Sequence, residues 1–209
     1  MKRIILLAIT ALWAVSSYSQ SGEDKGVFDN AVYGRIGLGF PGGELGSNEV
    51  VTAAAQFEVG TIFYFSSLKI ADNMKLGIDI TYLSISGLAN SPDLINDNKS
   101  DSYFLAGIKA GPCFSYNFTG KLIADVYFKL YPHLFRSGET QYHAYNGEDQ
   151  TKLGTSFGLN VRYRALMVGF EYTSAKYDFV VGYPDGSALY DYSESIKIPI
   201  PYFSLGVKF

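Results

Sequence analysis

Ten charged residues share one property: Arg35, Glu58, Lys75, Asp79, Lys109, Asp125, Lys129, Arg162, Glu171 and Lys208 each fall on the polar phase of a segment whose apolar residues recur at every second position. In a strand, alternate side chains share one face, so this spacing gathers cations and carboxylates on a single side. Eight of them, Arg35, Glu58, Asp79, Lys109, Asp125, Lys129, Arg162 and Glu171, form a candidate polar core of four cations and four carboxylates. Two chemistries suit such a set. Paired and hydrogen-bonded, the charges neutralise one another and hold a structural core; left unpaired around water, they line a path for ions or small solutes.

The remaining reactive residues are few. His133 and His143 are the only histidines, and His133 with Asp125 and a serine would be the raw material of acyl transfer, although no nucleophile motif accompanies them. Asp93, Asp97 and Asp101, with Asn96 and Asn98, offer oxygen ligands but lack the glycine and terminal glutamate of a calcium loop. No catalytic residue, metal ligand or cofactor is therefore assigned. Cys113 is the only cysteine, which rules out an intramolecular disulfide, and its inward phase makes it a buried thiol. Tyr177, Tyr183, Tyr190 and Tyr192 crowd one polar stretch, a composition suited to recognition.

The elements that position these residues are eight alternating segments, near residues 32–40, 53–65, 75–82, 103–118, 122–134, 153–163, 166–173 and from about Ile196 to Phe209. In the cores of these segments, taken from Pro201 onward in the last, no charge lies on the apolar phase. Segments of this length match the roughly 9–11 residues a tilted strand needs to cross a bilayer. The connections alternate. Residues 66–73, 119–121 and 164–165 are short, whereas 41–51, 87–101, 136–151 and 176–195 are long and polar, with turn signals at Asn146-Gly147 and Pro184-Asp185-Gly186 that carry two hairpins beyond the membrane. A soluble sandwich would also show one apolar and one polar face. However, here the polar phase carries many glycines, among them Gly60, Gly107, Gly111, Gly158 and Gly206, which weaken a solvated strand face but make room inside a narrow barrel. The expected fold is all-β, an eight-stranded antiparallel up-and-down transmembrane β-barrel over residues 31–209.

The 209 residues carry a net charge of −3, which excludes a general electrostatic bias toward nucleic acid. Lys2 and Arg3 precede an apolar run over residues 4–15 and then Ser16-Ser17-Tyr18-Ser19-Gln20, the pattern of a signal peptide over residues 1–20, with a polar leader over 21–30. The run is too short to span a bilayer as a helix.

At the other end, Phe203, Leu205, Val207 and Phe209 alternate with Tyr202, Ser204, Gly206 and Lys208, and the chain ends on the aromatic. With the export signal, the eight segments and the loop alternation, this ending resembles the small outer-membrane β-barrel (porin-like) proteins of Gram-negative bacteria. The resemblance implies a place in the cell outer membrane, outer-membrane lipid as surroundings, and the barrel-assembly machinery as a partner that reads Phe203, Leu205, Val207 and Phe209. The expected function is non-enzymatic: a side-chain-filled lumen, with a structural role or recognition of an extracellular ligand through the loops. A narrow porin-like channel is the alternative, and a small outer-membrane lipid-modifying enzyme a second one.

Overall fold

The computed structural model describes residues 28–43, 53–89, 102–137, 149–181 and 192–209. It contains eight strands: β1 Ala31–Gly39, β2 Ala53–Ala71, β3 Met74–Ala89, β4 Ser102–Asn117, β5 Leu122–Ser137, β6 Gln150–Tyr163, β7 Leu166–Val181 and β8 Tyr192–Lys208. Each pairs antiparallel with its sequence neighbour, and β8 returns to β1 from Tyr33↔Lys208 to Gly39↔Tyr202, so the sheet closes. Closure leaves no edge on which backbone donors and acceptors go unmet. Beyond the last β8 pair, the Phe209 amide donates to the Val32 carbonyl at 2.9 Å and anchors the terminal aromatic.

The two faces of the wall are the inverse of a water-soluble protein. Leu38, Leu153, Phe203 and Leu205 are 60–67 % exposed on the outside, while Lys109, Lys129, Asp79 and Asp125 are fully buried on the inside. The short connections lie at the end that also holds Phe28 and Phe209, here the turn end; the long connections lie at the opposite, loop end. At the turn end Gly120 takes a positive φ of 70° and its amide donates to Asn117 Oδ1 at 2.7 Å, closing the β4–β5 turn, and Arg164 takes a φ of 55° between β6 and β7.

Four expectations are corrected. Residues 66–73 are not a connection: β2 continues to Ala71 and only Asp72-Asn73 turn the chain. Strand β3 does not end at Tyr82. A bulge between Thr81 and Ser84 leaves Tyr82 and Leu83 both exposed, and beyond it Ser84, Ser86 and Leu88 face inward. Tyr177 is not a loop residue; it lies buried in β7, paired with Ile196 of β8. The interior is not polar throughout, because Leu88, Leu105, Phe135, Ile196, Ile198 and Ile200 fill its loop-end third. Residues 1–27, Asp93, Asp97, Asp101, His143, Tyr183 and Tyr190 lie outside the described residues.

Candidate functional site: the lumen

Three ionic groups stack along the polar part of the lumen. The central one is a ring of two cations and two carboxylates from four different strands. Arg35 of β1 and Glu58 of β2 are direct cross-strand partners, joined Nε to Oε2 at 2.5 Å. Lys109 of β4 reaches Glu58 Oε1 at 2.6 Å, and both Lys109 and Arg35 also bind Glu171 of β7. Each cation thus bridges both carboxylates, and the ring carries no net charge. Its spare acceptor capacity is filled by neutral donors: Gln56 Nε2 at 2.7 Å and Ser84 Oγ at 3.0 Å on Glu58, and the Tyr127 hydroxyl at 2.8 Å on Glu171. The Arg35 guanidinium also donates to the Tyr127 and Asn160 oxygens.

Nearer the turn end, Lys129 Nζ lies 2.8 Å from Asp79 Oδ2 and donates to the Tyr33 and Thr81 hydroxyl oxygens. The Tyr33 hydroxyl in turn donates to Asp79 Oδ1 at 2.8 Å. A third group joins Arg162 and Asp125 through two hydrogen bonds of 2.5 and 2.7 Å, a fork-to-fork geometry, with Ser115 donating to the same carboxylate and Tyr64 accepting from the guanidinium. Each of these pairs is also neutral. All eight core charges are at most 3 % exposed, a placement tolerable only because each meets a counter-charge and further hydrogen bonds.

Glycine makes this filling fit. A Cβ on Gly158 would stand 2.4 Å from the Tyr127 hydroxyl oxygen, and one on Gly60 would stand 2.5 Å from that of Tyr33. Gly158 and Gly60 are thus the space into which these two tyrosines pack.

All eight predicted core residues point into the lumen, but they divide into three groups. Lys75 and Lys208, the outlying members of the polar phase, sit near the turn end; Lys208 Nζ donates to the Asp29 carbonyl at 3.0 Å and lies 5.6 Å from the Tyr64 ring centroid. The end of the expected leader is docked there too, with the Phe28 ring edge-on to Tyr64 at 5.5 Å. Gln56, Tyr33, Tyr127 and Asn160 share the polar phase of their strands, but alternation alone gives them no role, and Ser84 is hidden because the β3 bulge reverses the alternation ahead of it.

The histidine does not join an acyl-transfer constellation. His133 Nδ1 lies 2.8 Å from the Tyr131 carbonyl, so it carries the proton, and Nε2 accepts from the Tyr177 hydroxyl at 2.7 Å. Asp125 stands eight residues away on the same strand, roughly 26 Å at strand rise, and is occupied by Arg162 and Ser115. Cys113 is buried beside Ser115, with 3.8 Å between Sγ and Oγ.

No protein-family model matches this chain, and no curated protein matches it by sequence. Solved structures with a similar fold include the outer membrane enzyme PagL, with a TM-score of 0.44 and 11% identity over 85% of this chain and 98% of that one. Ail, the attachment invasion locus protein of Yersinia pestis, aligns with a TM-score of 0.42 and 10% identity over 86% and 97% of the two chains. The outer membrane protein OprG from Pseudomonas aeruginosa aligns with a TM-score of 0.44 and 10% identity over 90% and 99%. At such identities the likeness concerns fold alone. On the pairing of its own strands, the chain is a closed, antiparallel, eight-stranded up-and-down β-barrel, an architecture that small outer-membrane proteins also have.

Proposed function

We propose that the chain is a non-enzymatic outer-membrane barrel whose lumen is a sealed structural core and whose loop-end hairpins form its working surface. The observation that carries this reading is the inversion of the wall: between the turn end and the Lys176–Lys197 row the exterior is apolar and uncharged, around charges that are buried and paired. A hydrocarbon surrounding supplies the partner that such an exterior lacks in water. By the usual orientation of these barrels the turn end is periplasmic and the loop end extracellular. Residues 1–20 act as the export signal, and the β8 residues Phe203, Leu205 and Val207 with Phe209 as the element read during assembly.

The three neutral ionic groups and the apolar plug above them favour a closed lumen over a channel, since eight strands enclose an interior just wide enough for side chains. With both ring nitrogens of His133 engaged by tyrosine groups and Asp125 held by Arg162, the described interior favours a structural role over catalysis. The test is single-channel recording of the protein refolded into planar bilayers. Silence apart from rare transient events is expected. Steady open-pore conductance would overturn the sealed core and promote the porin-like channel.

A further inference from the structure

The outer face of the β7–β8 ladder changes character abruptly. Its outward rows run Leu166↔Val207, Val168↔Leu205, Phe170↔Phe203, Tyr172↔Pro201 and Ser174↔Pro199, all uncharged. The next outward row is Lys176↔Lys197. Both lysines are exposed, while Ala175, Tyr177, Ile196 and Ile198 beside them are buried, so the two ammonium groups point away from the barrel.

Two like charges placed directly opposite across a strand pair repel each other. Among the described residues neither lysine has a carboxylate within ion-pair distance, and the nearby Asp178 is taken by Lys152 at 2.5 Å. Arg136, an exposed cation of the same end, has Asp149 beside it. Among the described residues the row is therefore a local concentration of positive charge with no carboxylate of its own, on a chain whose net charge is −3.

Its height says what could neutralise it. The row lies ten residues along the ladder from Leu166↔Val207 at the turn end. At ~3.3 Å per residue and a tilt of ~35–45°, that is roughly 25 Å along the membrane normal, the height of the apolar band of such barrels. The lysines thus stand where hydrocarbon gives way to headgroups, on stems long and flexible enough to converge on one acceptor.

We propose that Lys176 and Lys197 form a paired anion site that binds the phosphate of an anionic lipid headgroup in the outer leaflet. The proposal rests on the membrane-spanning reading above. Two ammonium groups sharing one phosphate turn the cross-strand repulsion into attraction, and juxtamembrane cations gain from anionic lipid in the way expected of basic residues at a charged interface.

The test separates the site from the membrane reading. Wild type and K176S/K197S are refolded into nanodiscs of phosphatidylcholine alone and of phosphatidylcholine with phosphatidylglycerol. A heat-modifiable band in phosphatidylcholine alone reports the barrel; its absence from the wild type would sink the membrane reading itself. Phosphatidylglycerol retained by the barrel is then counted by native mass spectrometry. A loss of about tenfold or more is expected in K176S/K197S, with recovery in K176R/K197R. Equal retention by wild type and K176S/K197S would overturn the site. Displacement of the lipid by inorganic phosphate at matched concentration would overturn the lipid assignment in favour of a free anion.

Discussion

Glu171 shows how much hangs on a single side chain here. Its carboxylate holds Arg35 and Lys109 and accepts from Tyr127, all inside the wall. Glu171→Ala leaves two buried cations sharing one remaining carboxylate, and removing one partner of a buried pair costs about 3–5 kcal/mol. Urea unfolding in lipid vesicles should show the midpoint fall accordingly, whereas Ser195→Ala on the exposed outer face should leave it unchanged. An equal midpoint for both variants would mean that the ring contributes nothing to stability. The faces of these charges were legible in the sequence, because the period of two assigns Arg35, Glu58 and Glu171 to one side. Their grouping was not. Arg35 meets partners 23 and 136 positions away, and alternation specifies a face without specifying register.

Among the elements, β8 carries the most demanding role. It closes the wall against β1 from Tyr202 to Lys208 while Phe203 and Leu205 face outward. Deleting Phe209 removes an aromatic and the amide bond to Val32, but its larger expected effect is on assembly. In cells, most of the deletion protein should fail to yield a heat-modifiable band and be degraded. Wild-type amounts of that band would reduce Phe209 to an ordinary strand residue. Strand existence was readable for all eight elements; strand ends were less so. Tyr82-Leu83 is an apolar pair that reads as the end of alternation, yet the backbone inserts one extra residue there and resumes with the opposite phase. By contrast, Ile196, Ile198 and Ile200 share the phase of the buried Tyr202 and Ser204, and the unbroken register with β7 keeps them inward as alternation requires.

For the whole molecule, orientation follows from the two unlike ends. Thr119 lies in the short turn between β4 and β5, and Ser195 lies beyond the lysine row at the loop end. In intact cells a membrane-impermeant maleimide should label Ser195→Cys but reach Thr119→Cys only after the outer membrane is permeabilised. Cys113 is buried and should stay silent throughout. Labelling of Thr119→Cys in intact cells would invert the topology. The sequence carried this asymmetry in the lengths of its connections. It could not show that the loop-end third of the lumen is apolar, because Leu88, Phe135 and the β8 isoleucines converge only once the barrel has closed.

The ring also has a consequence in time. Its cation Arg35 comes from the first strand, its carboxylate Glu171 from the seventh, and Lys109 from the fourth. Such a ring cannot be complete until β8 has zipped onto β1, so its full energy is absent from any transition state in which the wall is still open. Interactions made that late slow unfolding without hastening folding. The central charges therefore act as a latch on the lifetime of the closed barrel, and their truncation should raise the unfolding arm of a denaturant kinetic profile, at unchanged slope, while leaving the folding arm where it was.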